Sequence, residues 1–210
     1  MRVLHKVRQL TCGTLAFGLL LIAAPVFAQV NVTAIEEDWQ LIVDTPNASR
    51  SAPQLNCLIS TTGSAQSVYA VLLINQHASK GGSLELQLWN GSTLLDSSSL
   101  GNYESLATPG ERIQWTTRME LANNGVLTVQ VLDGTSTTWG RFGGKSELIV
   151  SKQTALQDLN AYDPNTTTDS SGVEFGNSRV NKLTLRKVRV YTGNKKSVEH
   201  ALERVVYQNY

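Results

Sequence analysis

Apolar and polar residues alternate with a period of two through most of residues 39–191, and short clusters of turn residues separate the runs. This alternation is typical of antiparallel strands that bury one face and leave the other in solvent. The clearest run, residues 83–89, ends in Asn90 and Gly91, a dipeptide typical of tight hairpin turns. The pattern therefore predicts two strands joined by a short turn.

A predicted meander comes next along the chain. In residues 112–121 the apolar side chains share one face, so Trp115 is expected in the core. A strand at residues 126–132 follows, and Asp133 with Gly134 is expected to end it in a turn. Shorter candidate strands are residues 39–43, 55–60, 68–75, 137–142, 147–150 and 173–175.

The last predicted strand of the sheet, residues 183–191, changes its apolar phase between Leu185 and Val188. A β-bulge shifts the phase in this way, so a bulge is expected there. The stretch before it, residues 158–172, is dense in Asp, Asn, Thr and Ser and predicts a polar loop.

Residues 197–207 are the best helix candidate, because Val198, Ala201, Leu202 and Val205 have the spacing of one helix face. The expected fold is therefore all-β: an antiparallel β-sandwich of jelly-roll type with one C-terminal helix. We expect residues 29–193 to form the sandwich and residues 194–210 the helical tail.

Residues 1–28 have the features of a secretory signal peptide. Arg2, Lys6 and Arg8 precede an apolar run too short to span a bilayer, and a cut after Ala28 would leave Gln29 as the first residue. We therefore expect a secreted protein, periplasmic or extracellular, with no membrane span in the mature chain.

Removal of residues 1–28 would leave 15 Lys and Arg against 17 Asp and Glu, a net charge of −2. This balance argues against nucleic acid as a partner. Cys57 would be the one remaining cysteine, which excludes an intrachain disulfide. Its apolar neighbours predict a buried, inert thiol.

The meander, the polar loop, residues 172–176 and the closing strand together resemble the second half of a concanavalin A-like lectin or glucanase jelly roll, of the laminin G-like kind. The resemblance lies in the pattern and covers about residues 65–192. It implies two antiparallel sheets, one of them concave, and a glycan ligand.

The sequence shows no support for catalysis. The Glu-x-Asp-x-x-Glu strand of glucanases with this fold is absent, and Glu36, Glu37 and Asp38 are interpreted as an acidic start of a strand. The histidines lack a zinc-binding spacing, and the glycine pairs lack phosphate-loop spacing.

Exposed aromatic rings can stack on the apolar face of a sugar. The candidate ligand-binding residues are accordingly Trp89, Trp139, Tyr103 and Tyr162. Calcium is the candidate cofactor, because oxygen-bearing side chains recur in residues 163–174 at the ligand positions of an EF-hand-like loop. They are Asp163, Asn165, Thr167, Asp169, Ser171 and Glu174. A solvated turn cluster is the alternative interpretation.

Three functional hypotheses follow. The first is a secreted, non-catalytic domain that binds a glycan or cell-surface polysaccharide. The second is a structural or adhesive surface protein whose C-terminal helix docks a protein partner. The third is an unrecognised polysaccharide hydrolase or lyase.

Overall fold

The computed structural model describes residues 31–43, 54–64, 66–74, 84–100, 109–144, 146–176, 179–193 and 195–209. The predicted signal peptide, the expected first residue Gln29 and the candidate ligand residue Tyr103 lie outside these ranges.

The described residues form strands and one short helix, α1 (Pro164–Ser170). The strands are β1 (Ala34–Val43), β2 (Gln54–Ser60), β3 (Val68–Ile74), β4 (Leu84–Asn90), β5 (Thr93–Leu100), β6 (Arg112–Leu121), β7 (Val126–Ser136), β8 (Gly140–Phe142), β9 (Ile149–Gln153), β10 (Gly172–Phe175), β11 (Val180–Thr192) and β12 (Lys195–Gln208).

Two antiparallel sheets make a β-sandwich, which confirms the predicted fold class. The large sheet has seven strands in the order β12-β11-β1-β6-β7-β8, with β9 also pairing with β7. The small sheet has five strands in the order β10-β2-β3-β4-β5. The described helix α1 is neither long nor apolar enough to cross a membrane.

The core lies between the sheets, because alternate side chains of the long strands point inward from both sides. At its centre Trp39 of β1 and Trp115 of β6 stack at 6.0 Å, and each is only 2% exposed. The prediction that Trp115 belongs to the core is confirmed. Cys57 is also buried, as predicted, and burial raises the pKa of its thiol.

Two local predictions are confirmed by the strand register. The hairpin between β4 and β5 turns at Gly91 and Ser92, and Gly91 takes a left-handed backbone with φ 55°. The predicted bulge in β11 lies at Arg186, where the pairing with β12 passes from Leu185 directly to Lys187.

The predicted C-terminal helix is wrong: residues 197–207 belong to strand β12, which pairs antiparallel with β11 at the edge of the large sheet. Val198 and Val205 favour a strand over a helix. The register with β11 shifts more than once along β12, so the apolar positions leave strict alternation and imitate helical spacing. A protein partner docked on a C-terminal helix is excluded with it.

The structure places its helix earlier, inside the predicted loop of residues 158–172. Asp163 caps α1, because its side chain accepts a hydrogen bond of 2.9 Å from the backbone N–H of Asn165. Pro164 fits the first helical position, where no backbone N–H is needed. The expectation of an irregular loop over these residues is therefore corrected.

Candidate functional site

The outer face of the large sheet carries polar side chains in regular rows. Asp38 on β1 pairs with Thr116 on β6, which pairs with Asp133 on β7. One row further along, Gln114 on β6 lies opposite Thr135 on β7. Side chains directly opposite each other in antiparallel strands share a face, so these groups project from the same side of the sheet.

β-Bulges in β7 and β11 lie beside these rows of polar side chains. In β7 the pairing with β6 skips Leu132, so Asp133 stays in a strand and does not form the predicted turn. In β11 the pairing skips Arg186, and in the facing part of β12 Glu203 takes a left-handed backbone with φ 38°. Because bulges bend strands and redirect side chains, their alignment opens a cleft across the sheet.

The cleft has a volume of about 510 Å³. Its polar lining comes from five neighbouring strands, and the backbones around Trp39 and Trp115 lie at its floor. The polar residues are Asp38, Gln114, Thr116, Asp133, Thr135, Arg186, Lys187 and Glu203. A second depression of about 240 Å³ shares Gln114 and Thr135 with the cleft and extends it toward Arg112.

Asp38 is held in place by its neighbours. Arg189 donates from both terminal nitrogens to the Asp38 carboxylate, at 2.6 and 2.5 Å, and the Thr116 hydroxyl donates at 2.9 Å. A bidentate arginine is the strongest common partner of a carboxylate. The Asp38 side chain is therefore a fixed part of the cleft lining.

Glu36 lies beside this pair and is held in the same way. It accepts hydrogen bonds of 2.7 Å each from Arg118, Arg189 and the Tyr191 hydroxyl. Burial raises the pKa of Glu36, but the bonds from Arg189, Tyr191 and Arg118 outweigh it and the net pKa is lowered. Glu36 therefore stays ionised, and its three hydrogen bonds hold it in a fixed position beside Asp38.

Asp133 and Gln114 differ from Glu36 and Asp38, because neither side chain makes a hydrogen bond or ion pair with any described residue. Both side chains are exposed. Thr116 lies opposite Asp133, and Gln114 is two residues from Thr116, so the two side chains are diagonal neighbours on one face. Such neighbours are about 7–8 Å apart, which leaves room for a water molecule and a carbonyl group between them.

Three of the predicted aromatic ligand residues, Trp89, Trp139 and Tyr162, lie within the described ranges, and none of the three lines this cleft. Trp89 lies on the small sheet, half-buried, and its indole N–H donates to Gln87 at 3.0 Å. Trp139 packs edge-on against Phe142, with ring centroids 6.0 Å apart. Tyr162 donates its hydroxyl to Glu37 at 2.8 Å. The structure therefore spreads these side chains over separate parts of the sandwich.

Glu36, Glu37 and Asp38 lie near the start of β1, as interpreted from the sequence, and Glu37 is fully buried there. It accepts hydrogen bonds from Tyr162 and Thr167 at 2.8 Å each and from the Trp39 indole at 3.1 Å. Burial raises the pKa of Glu37 to about 7, although these bonds lower it. The carboxyl links β1 to the segment that contains α1.

The six predicted calcium ligands are used within the protein in several ways. Asp163 caps α1, Thr167 donates to Glu37, and Ser171 accepts from the backbone N–H of Leu58 at 2.8 Å. Asn165 accepts from Arg204, and Glu174 accepts from Asn56 at 3.2 Å. Within the described ranges no group of three or more His, Cys, Asp and Glu side chains could hold a metal ion. Calcium binding by these residues, with Asp169, stays a prediction.

Two solved structures are similar to this chain, both of scytalido-glutamic peptidase. One, with a transition state analog inhibitor, has a TM-score of 0.42 and 8% identity and covers 82% of each chain. The other, with a peptide-based transition state analog, has a TM-score of 0.41 and 10% identity and covers 83% of this chain and 82% of that one. No family model and no curated protein matches.

The predicted function is corrected at this point. The sequence predicted a non-catalytic glycan-binding domain, whereas the similar solved structures are those of a peptidase, a hydrolase. At these TM-scores the likeness transfers no residue role to this chain. What the cleft does must therefore be argued from its own side chains.

Proposed function

We propose that the cleft hydrolyses an amide bond of an extended polypeptide. The observation that carries this proposal is a pair of side chains in the cleft, Asp133 and Gln114, that have no side-chain partner among the described residues. The other carboxylates of the cleft, Asp38 and Glu203, are bound by Arg189 and Arg186. A carboxylate and an amide N–H donor are the two groups that a water-mediated acyl transfer needs.

In the proposed reaction Asp133 takes a proton from a water molecule as the water oxygen bonds to the substrate carbonyl carbon. The side-chain N–H of Gln114 donates to the carbonyl oxygen, on which negative charge develops. The proton on Asp133 then passes to the substrate nitrogen as the carbon–nitrogen bond breaks. The products are a carboxylic acid and an amine, and Asp133 returns to its starting state.

The lining of the cleft favours a polypeptide over a neutral sugar polymer. It presents charges of both signs, with Asp133 at one end and Arg186 and Lys187 at the other. The two tryptophans at its floor are each 2% exposed, so they offer no ring face for a sugar to stack on. A substrate with backbone amides and charged side chains matches this lining.

The test is digestion of a mixture of synthetic peptides by the purified protein between pH 3 and pH 8, followed by mass spectrometry. We expect Asp133→Asn and Gln114→Ala each to lower kcat/KM by about a hundredfold or more. Glu120→Gln is the matched control, because Glu120 lies on the same face but pairs with Arg118 outside the cleft. Absence of cleavage by the unmodified protein, or full activity of Asp133→Asn, would refute the proposal.

Two further expectations belong to this proposal. The chain is proposed to be exported with removal of residues 1–28, since Arg2, Lys6 and Arg8 precede a short apolar run. A relation to the concanavalin A-like jelly rolls is also proposed. The two large antiparallel sheets and the bulged closing strand β11 support it.

A further inference from the structure

Two exposed arginines lie on the strands next to the cleft, and one of them, Arg112, lines the second depression. Arg112 begins β6, and Arg141 lies on β8 opposite Thr135 of β7. Thr137 completes the group, because its hydroxyl accepts a hydrogen bond of 3.4 Å from the backbone N–H of Arg112. We call Arg112, Arg141, Thr135 and Thr137 the basic corner.

The basic corner lies on the same face as the proposed catalytic pair. Arg112 precedes Gln114 by two residues on one strand, which is about 6.6–6.8 Å. Arg141 is opposite Thr135, and Thr135 is opposite Gln114, so Arg141 lies about two strand spacings, or roughly 9.6 Å, from Gln114. Both guanidinium groups are thus within a few substrate residues of the proposed reaction centre.

Among the described residues, no side chain neutralises the charges of these two arginines. Neither Arg112 nor Arg141 forms a side-chain hydrogen bond or ion pair with a described residue. The other arginines of this face differ, since Arg118, Arg186 and Arg189 bind carboxylates at 2.7, 3.2 and 2.5 Å. Guanidinium groups beside threonine hydroxyls offer the N–H and O–H donors that a carboxylate ligand accepts.

We infer that the basic corner binds a carboxylate of the substrate, two or three residues from the carbonyl group that is attacked. This inference rests on the proposed amide hydrolysis. The spacing follows from the rise of an extended chain, about 3.3–3.6 Å per residue, set against the distances from Gln114. The carboxylate is either the C-terminus of the substrate, in which case a dipeptide or tripeptide is released, or an Asp or Glu side chain.

The experiment compares matched peptides that differ only in this charge. One pair has a C-terminal acid or a C-terminal amide, and a second pair has Glu or Gln at the chosen position. We expect the unmodified protein to cleave one carboxylate form with a kcat/KM about ten to a hundred times that of its neutral partner. Which pair shows the preference identifies the source of the carboxylate.

The variant Arg112→Gln with Arg141→Gln should bring that ratio close to one while cleavage of the neutral peptide is kept. Lys152→Gln is the control for loss of a positive charge, because Lys152 is an exposed residue of β9 that does not line the cleft. A preference that survives in the double variant, or cleavage with no preference in the unmodified protein, would overturn the inference and leave the hydrolysis standing. If no peptide is cleaved, the proposed hydrolysis is refuted. Binding of the same peptide pairs, labelled with a fluorophore, is then measured by fluorescence anisotropy, and equal affinity for the acid and neutral forms would overturn the inference.

Discussion

Replacement of Glu37 by Gln should change how the stability of this protein depends on pH. The pKa of Glu37 in the folded chain is raised by burial from 4.5 to about 7. A rise of this size corresponds to about 3 kcal/mol in favour of the protonated form, at 1.36 kcal/mol per unit. Glu37 is fully buried, so solvent does not screen this effect.

The direction follows from proton binding. Between pH 4.5 and 7 the folded chain holds a proton on Glu37 that the unfolded chain has released. The free energy of unfolding should therefore fall by about 3 kcal/mol as the pH rises through this window, and stay level above it. For a chain of this length the loss corresponds to roughly 6–12 °C in Tm.

The measurement is thermal melting at several pH values from 4 to 8.5, with Glu37→Gln, Glu120→Gln and the unmodified protein side by side. Glutamine keeps the size of the side chain and can still accept from Tyr162 and Thr167, but its NH₂ group would face the Trp39 indole N–H. We expect Glu37→Gln to cost about 1 kcal/mol at pH 4, from this lost acceptor. It should equal or exceed the unmodified protein in stability at pH 8.

Glu120 is exposed and serves as the control for loss of a carboxylate. Melting curves of the Glu37→Gln variant that run parallel to those of the unmodified protein from pH 4.5 to 8 would refute this reasoning. Glu36 does not obscure the result. Its pKa is lowered, so its contribution is present above the ordinary value of 4.5 and is lost only below it.

Truncation after Gly193 should leave an unstable or aggregating chain, because it removes β12 and exposes the edge of β11. Removal of residues 209–210 alone is the control, and a soluble truncated protein with an unchanged Tm would contradict this prediction. N-terminal sequencing of exported protein should give Gln29 as the first residue, and a start at Met1 would show that residues 1–28 are retained.

Most of the fold could be predicted because its strands bury one face. In β6, Ile113, Trp115 and Met119 alternate strictly with exposed residues, and the structure buries those three. The tail failed because the pairing of β12 with β11 is bulged. Its apolar residues then follow the shifted register and not a simple alternation. Local spacing cannot distinguish that case from a helix.

The buried position of Glu37 could have been found from the sequence. Ile35, Glu37, Trp39 and Leu41 share one parity, and a strand that begins at Ala34 puts them on the core side. The predicted strand began at residue 39, so the three acids were interpreted as its acidic start and not as part of its alternation. Two of the three partners of Glu37, Tyr162 and Thr167, are more than a hundred residues away along the chain, and no local pattern indicates them.

The cleft itself depends on register, which is a long-range property. Leu132 and Arg186 become bulged residues only when β7 is aligned with β6 and β11 with β12. Arg112 and Arg141 come to lie on the same face only because β7 pairs with β6 on one side and with β8 on the other. The alternation of β6 did place Gln114 on the solvated face, but it could not indicate which side chains would lie beside it.

Three acids that are adjacent in sequence therefore have different roles, and none of them is the carboxylate proposed to act in hydrolysis, which is Asp133. Glu37 points inward and links β1 to the segment around α1. Glu36 and Asp38 point outward, but Arg189 binds both of them. These bonds hold both carboxylates in fixed positions, and Asp38 is thereby a rigid part of the cleft lining. Asp133 lies beyond their reach on β7, at the bulge, and remains the carboxylate of the cleft best placed to act on a water molecule.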